Sequence, residues 1–121
     1  IIKARFKTTH GKATVIQVYA PTADCADSVI DEFYALLQQT VNNTSNTDLM
    51  VIMGDFNAKV GTDWKTWKGA IGKFGHGEEN ERGERLLQFC LNNNLKIMNT
   101  VFYQRKANRK MDLGITKWKN T

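Results

Sequence analysis

The sequence contains few of the residues that build cross-linked or metal-rich proteins. Cys25 and Cys90 lie far apart and follow no metal-ligand spacing, so a dense disulfide framework is excluded, although a single disulfide stays open. A reducing, intracellular compartment, nuclear or cytoplasmic, is the simpler expectation. His10 and His76 are isolated, which favours positions in turns or on the surface.

Long apolar runs and common ligand-binding loops are also missing. No run is long enough to span a bilayer and no signal peptide is visible, so we expect no membrane partner. There is no Walker-type phosphate loop. The segment after Asp55 is not an EF-hand, because Lys59, Val60 and Thr66 occupy positions of a ligand, a glycine and a glutamate. The chain opens on Ile1, without an initiator Met, and we expect it to be a piece of a longer protein.

Basic residues outnumber acidic ones among the 121 residues, with 17 Lys and Arg against 12 Asp and Glu and a net charge of +5. Such a charge attracts polyanions, although a solvated cationic surface explains it equally well. Arg105 and Lys106 follow Tyr103, where phosphate contacts and an aromatic platform can combine. We therefore expect weak DNA binding through this basic surface, with Arg105 and Lys106 as substrate-binding candidates.

The first half of the chain shows the periodicities of two strands, a helix and a third strand. Ile2, Ala4 and Phe6 alternate with basic residues, as in a half-buried strand, and residues 13–19 are a natural hairpin partner. A helix is predicted over 26–41, with Asp24 or Asp27 as its cap. Its predicted apolar stripe comprises Val29, Ile30, Phe33, Leu36, Leu37 and Val41.

The second half continues with a strand, a long loop, a helix and a strand. Residues 49–53 form an apolar run typical of a strand buried on both faces, and residues 59–79 are predicted to form an ordered loop pinned by Trp64 and Trp67. A helix is predicted from near Asn80, with Leu86, Leu87, Cys90 and Leu91 buried. Residues 95–100 are predicted to be a strand. The order β-β-α-β-loop-α-β indicates one layered α/β or α+β domain.

The strongest chemical candidate directly follows the buried strand. In layered α/β folds, ligands bind at the carboxyl ends of central strands, and there Asp55 and Asn57 can face the same way while Phe56 turns into the core. Asp55 can accept a proton from water and Asn57 can orient it, while Gly54 would let the backbone pass close to a substrate. Asp and Asn are also ordinary turn residues after strands, which is the plain alternative.

A second candidate lies where the hairpin strand ends. Tyr19 can donate its hydroxyl to a phosphate oxygen, although a tyrosine there is also common at the edge of a core. Pro21 ends the strand because it lacks a backbone donor.

In combination, four segments resemble the endonuclease/exonuclease/phosphatase superfamily. They are similar to apurinic-type endonuclease domains of non-LTR retrotransposons and to the craniofacial development protein 2-like proteins derived from them. The segments are Tyr19-Ala20-Pro21-Thr22, Gly54-Asp55-Phe56-Asn57-Ala58, Asn80-Glu81-Arg82-Gly83-Glu84-Arg85-Leu86-Leu87 and Asn99-Thr100.

The resemblance implies a partial β-sandwich flanked by helices and cleavage of phosphodiesters with Mg²⁺ or Mn²⁺. Asp55, Asn57 and Tyr19 would be catalytic, and Thr22 would contact substrate. The family's metal-binding Glu and its closing Asp-His motif have no counterpart here, so we expect no tightly bound metal and an inactive isolated chain. Half a sandwich leaves a sheet uncovered, which predicts marginal stability or self-association.

The end of the chain departs from the family pattern. After Lys110 the family usually continues Trp-Thr-Trp-Glu-Ser-Pro-Asn-Gly-Lys-Thr, and the bases encoding that segment, shifted by one added base, can encode the sequence from Met111 onward. We therefore predict a family domain over 1–110 and a frame-shifted, poorly ordered tail over 111–121.

Three hypotheses follow from these observations. The chain belongs to a nuclease, or it is a transposon-derived relic that at most binds nucleic acid or protein, or it comes from a phosphatase branch of the superfamily. Residues 80–87 disfavour the phosphatase, whereas the altered tail favours the relic.

Overall fold

The computed structural model describes residues 1–103 and the backbone of 113–117. Its regular elements are listed here in chain order. They are β1 (Ile2–Thr8), β2 (Gly11–Tyr19), α1 (Asp27–Asn42), β3 (Leu49–Asp55), α2 (Glu81–Asn92), β4 (Lys96–Ile97), a 3₁₀ turn (Met98–Thr100) and β5 (Leu113–Lys117). This order confirms the predicted layered α/β class, and β5 is an additional strand.

The described strands form one mixed sheet in the order β1-β2-β3-β5-β4. β1 and β2 form an antiparallel hairpin, whereas β2 and β3 are parallel and are connected through α1. β5 runs antiparallel to both β3 and β4. As a result β2, β3 and β4 run in the same direction and their carboxyl ends lie at one edge of the sheet, which we call the carboxyl edge.

β5 lies within the tail that the sequence predicted to be poorly ordered. Its backbone pairs with β3 from Gly54↔Leu113 to Met50↔Lys117 and with β4 at Lys96 and Ile97. These five residues are described as a strand, whose ladder satisfies backbone groups of two neighbouring strands, and poor order of the tail over 111–121 stays a prediction. The domain boundary at 110 and the frame shift stay predictions.

Both helices pack on one face of the sheet, which we call the covered face. Alternate residues of β2 and β3 point into this layer, and Ile16, Val18, Met50 and Ile52 are buried there. The core also contains Phe56, Val60, Trp67, Ala70 and Ile71 from the segment between β3 and α2. Trp67 is buried and Trp64 packs against the core, which confirms that these residues pin the long loop.

The buried stripes of the helices differ in part from the predicted ones. α1 buries Ile30, Tyr34, Leu37 and Val41, whereas Val29 and Leu36 are exposed. Tyr34 was missed because the apolar count ignored its ring, which lies 5.5 Å from that of Phe89. α2 buries Phe89 but exposes Leu91.

The start of α1 also differs from the prediction. Its N-cap is Ala26, without a side-chain cap. Neither Asp24 nor Asp27 caps the helix, because their carboxylates accept hydrogen bonds from Thr22 and Arg82 respectively.

The opposite face of the sheet has no helix on it in the described part of the chain, and we call it the open face. All residues of β1 are exposed, so the prediction of a half-buried strand is wrong. The register pairs Ile2 with Gln17, Ala4 with Val15 and Phe6 with Ala13, which places the apolar side of β1 on the open face. The last predicted strand is also shorter than expected, since the 3₁₀ turn follows Ile97.

Candidate active site

Tyr19 and Asp55 are register partners at the ends of parallel strands. They therefore lie side by side on the open face, at the carboxyl edge. Tyr19 is 74% exposed and Asp55 is also exposed. The structure brings together two residues that were predicted as separate candidates. The Tyr19 hydroxyl and the Asp55 carboxylate are both accessible to a ligand.

The β3 end requires a glycine at position 54. Gly54 has a φ of +137°, and a Cβ there would lie 1.9 Å from the Val18 carbonyl oxygen. The close approach is therefore to the neighbouring strand, which differs from the expected close approach to substrate. It allows the Ala20 amide to donate to the Asp55 carbonyl oxygen at 2.8 Å.

Asn57 joins the two strand ends through its side chain. Its Nδ2 donates to the Ala20 carbonyl oxygen at 2.8 Å, and its backbone amide donates to Asp55 Oδ1 at 2.9 Å. The backbone at Asn57 has a φ of +48°, a left-handed conformation that Asn tolerates better than most residues. Phe56 between them is buried, as predicted, and anchors the segment. One Asp55 oxygen is thus oriented by the loop itself.

Thr22 is placed differently from the other candidates. Its hydroxyl donates to Asp24 Oδ1 and lies 3.5 Å from Cys25 Sγ. The hydrogen bond from Thr22 lowers the pKa of the Asp24 carboxyl, with a further contribution from its own backbone amide. The resulting carboxylate disfavours a phosphate beside it. Contact of Thr22 with substrate stays a prediction.

Arg105 and Lys106 lie outside the described residues, but the residues leading to them are described. The rings of Tyr103 and Phe74 pack edge to face with centroids 5.8 Å apart, and both are exposed. Next to Phe74, Lys73 Nζ lies 5.2 Å from the Trp64 ring centroid. Tyr103 follows the 3₁₀ turn after β4, and Phe74 is tied to that turn, since its amide donates to the Thr100 carbonyl oxygen. An exposed aromatic pair therefore lies beside the turn that follows β4.

The edge residues do not form a metal site by themselves. Within residues 1–103, no three His, Cys, Asp or Glu side chains are grouped so that they can hold a metal ion. Asp55 alone provides too few of the oxygen ligands that Mg²⁺ requires. The described residues therefore do not fit a resident metal, and the chemistry assigned to them below is their own.

Two further observations concern earlier expectations. Both cysteines are free, with Cys90 buried, and burial raises the pKa of its thiol to about 12. In the part of the chain that the structure describes, neither helix is long and apolar enough to cross a membrane.

Comparison with known families identifies this layered α/β fold as a partial endonuclease/exonuclease/phosphatase domain. The profile of the family described as endonuclease-reverse transcriptase matches residues 13–118, and the chain belongs to this family. The match includes β5.

Curated relatives agree with this assignment. The chain is 43% identical over 104 residues to Craniofacial development protein 2 of Bos taurus, covering 86% of this chain and 17% of the relative. It is 42% identical over 104 residues to the protein of the same name from Tragulus javanicus, covering 86% and 18%. The chain thus spans less than a fifth of the length of these relatives.

Proposed function

We propose that this chain is part of a DNA endonuclease domain of retrotransposon origin, a phosphodiester hydrolase that uses Mg²⁺ or Mn²⁺ in its complete form. The observation that carries the proposal is the registered pair of Tyr19 and Asp55 at the carboxyl edge. Membership of the endonuclease-reverse transcriptase family supports it.

Each side chain has one role in the proposed reaction. The Asp55 carboxylate positions a water molecule and accepts its proton as the water attacks phosphorus. The P–O bond to the departing strand breaks in the same step, and the departing oxygen takes a proton from solvent water. Asn57 uses Nδ2 to bind the Ala20 carbonyl, so its Oδ1 is the atom that orients water. The Tyr19 hydroxyl donates to a non-bridging phosphate oxygen. We expect the isolated chain to bind no divalent metal tightly and not to cleave, and the lack of a metal-holding group among its described residues supports this expectation.

A second candidate function is nucleic-acid binding without cleavage. It is favoured by the exposed pair of Phe74 and Tyr103 beside Lys73. Bases stack on such rings with little sequence preference, and Arg105 and Lys106 would contact phosphates. Both candidates place the protein with nucleic acid inside the cell, in the nucleus or the cytoplasm.

Plasmid nicking tests the catalytic proposal. Residues 13–118 are grafted in place of the matching segment of the Bos taurus relative, and supercoiled plasmid is incubated with MgCl₂ or MnCl₂. We expect the graft to nick, the isolated chain not to nick, and Asp55→Asn to reduce nicking by about 100-fold or more. Asp63→Asn is the matched control, because that exposed carboxylate also accepts a local backbone amide, from Thr66, and should have no effect.

The outcomes separate the two candidates. A graft that does not nick while the unaltered relative does would contradict the endonuclease proposal. Nicking by the isolated chain that Asp55→Ala abolishes would overturn its proposed inactivity. Low-salt oligonucleotide binding that survives Asp55→Asn but is lost in Tyr103→Ala would support a binding-only role.

A further inference from the structure

The first turn of α2 contacts both segments that form the candidate site. We call residues 80–83 the clamp turn. In the sequence this stretch carries the family resemblance and the predicted start of a helix, and its residues suggest no chemistry. Its contacts give it a structural link to both strand ends, one through Asn80 and Gly83 and the other through Arg82.

The link to the β3 segment runs through Lys59, two residues after Asn57. Asn80 Oδ1 accepts from the Lys59 amide at 3.1 Å and from the Gly83 amide at 2.8 Å. The Asn80 amide in turn donates to the Lys59 carbonyl oxygen at 3.1 Å. A Cβ on Gly83 would lie 1.6 Å from that same oxygen, so the helix backbone is packed directly on the segment. One asparagine both caps α2 and fixes the chain that follows Asn57.

The link to the β2 segment runs through Arg82. Its Nη2 donates to the Cys25 carbonyl oxygen at 2.6 Å and to that of Ala23 at 3.4 Å, while Nη1 donates to Asp27 Oδ1 at 3.0 Å. The Arg82 side chain is only 15% exposed. A guanidinium can make these bonds together because its donors form a rigid planar fork. The loop after Thr22 is thereby tied to α2 instead of being held by its own contacts alone.

We infer that the clamp turn fixes the two segments that follow Tyr19 and Asp55 relative to each other, and that Arg82 is a positioning residue for the site. The catalytic relevance of this inference rests on the proposed function, whereas the hydrogen bonds that restrain the two segments do not. β2 and β3 pair up to Tyr19 and Asp55, and just beyond these residues the two segments bond near Ala20, through the Asp55 carbonyl and the Asn57 amide group. Arg82 and Asn80 hold them further out, from one rigid helix turn.

The chain offers a matched control one helical turn later. Arg85 Nη1 donates to Asp31 Oδ1 at 3.0 Å, the same distance as Arg82 to Asp27. Arg85 is 45% exposed and also lies over the Tyr34 ring, but it has no bond to the loop after β2. Arg85→Ala therefore removes an equivalent helix-to-helix ion pair without touching the clamp.

Residue-resolved amide hydrogen exchange on the full chain is the test. Arg82→Ala is expected to speed exchange of the Ala20, Cys25 and Asn57 amides by about tenfold or more relative to Arg85→Ala, because hydrogen bonds from a charged donor are lost. Asp27→Ala should have a smaller effect, since the carbonyl bonds remain. Arg82→Lys should restore part of the protection. Amides in the centre of β3 should be unchanged in all four variants.

Two results would overturn the inference: equal exchange in Arg82→Ala and Arg85→Ala, or a uniform increase across the sheet that marks a loss of global stability only. In the nicking graft, Arg82→Ala should lower kcat about tenfold with KM within about twofold, whereas Arg85→Ala changes neither. Faster loop exchange in Arg82→Ala, together with a graft that never nicks, would contradict the proposed function but support the positioning role of the clamp turn. An active graft in which Arg82→Ala leaves loop exchange unchanged would support the proposed function and contradict the positioning role of the clamp turn.

Discussion

The covered and open faces of the sheet carry similar side chains in different surroundings. On β3, Ile52 points into the helix layer and is fully buried, whereas its neighbour Met53 points the other way and is 46% exposed. On β1, Ile2 and Phe6 are exposed on the open face, while the basic residues between them point to the covered side. Apolar character alone therefore does not identify which face of this sheet is the core.

The two faces also differ in where polar groups lie. The covered face contains a polar cluster in which Asp48 accepts from Arg5 and from buried Thr14. The apolar strand residues of the open face lead instead to Tyr19 and Asp55, which lie together at its edge. The candidate chemistry thus lies at the margin of the less protected face, where a ligand or further protein can reach it.

The largest expected effect is a difference in unfolding free energy between substitutions at two adjacent residues that point to opposite faces. Ile52→Ala should lower the free energy of unfolding by about 3 kcal/mol, because it removes buried methyl groups and leaves a cavity. Met53→Ala should cost about 0.5 kcal/mol or less, since the side chain is half in water. Urea denaturation of both variants measures the difference. Equal losses of unfolding free energy in the two variants would show that the open face is buried in solution and that the two faces do not differ in burial.

A smaller effect is expected from the polar cluster of the covered face. The hydrogen bonds from Arg5 lower the pKa of Asp48 from 3.8 to about 2, with help from Thr14. The folded-state pKa lies below the unfolded value, so the carboxylate contributes stability that is complete above about pH 4 and is lost as the pH falls toward 2.

Asp48→Asn should therefore lower the midpoint of thermal unfolding by several degrees at pH 7, with the difference shrinking between pH 4 and pH 2. Asp31→Asn is the control, because Asp31 forms an exposed ion pair with Arg85 that contributes little. Thermal melts across this pH range provide the measurement. A difference that stays constant down to pH 2 would contradict the role of the ionised carboxylate.

The sequence predicted what local patterns determine. The order of the first six elements, the burial of Phe56 and Trp67 and the position of Asp55 at a strand end follow from periodicity and from the residues flanking each strand. The apolar side of β1 was also recognised. Its periodicity predicted a half-buried strand, because burial depends on what packs against a strand and not on the strand itself, and the uncovered sheet was expected only through the family resemblance.

The contacts within the site could not be predicted from the sequence either, because they too depend on residues that are distant in the chain. The bonds from Arg82 to Ala23 and Cys25 join residues more than 55 positions apart in the chain, and no local pattern signals them. The close approach of Gly54 to Val18 depends on strand register, which the sequence left open. β5 was missed because its segment departs from the family pattern, although its backbone completes the ladder beside β3.

Placing charges on the open face is expected to have the smallest effect on stability but a large effect on self-association. Ile2→Lys with Phe6→Lys should change the free energy of unfolding by no more than about 0.5 kcal/mol, because both side chains are exposed. We expect the original chain to self-associate through this uncovered apolar face as its concentration rises, and the double variant to stay monomeric, since apposed lysines repel and resist desolvation.

Sedimentation velocity over a range of concentrations measures this difference. Leu36→Lys is the control, because Leu36 on α1 is 52% exposed, close to the 53% of Phe6, but lies away from the sheet. Leu36→Lys should associate like the original chain if the face, and not general surface hydrophobicity, is responsible. An original chain that is monomeric at every concentration would mean that the open face, although apolar, does not bind a second copy. Its accessibility would then matter only for the groups at its edge, Tyr19 and Asp55.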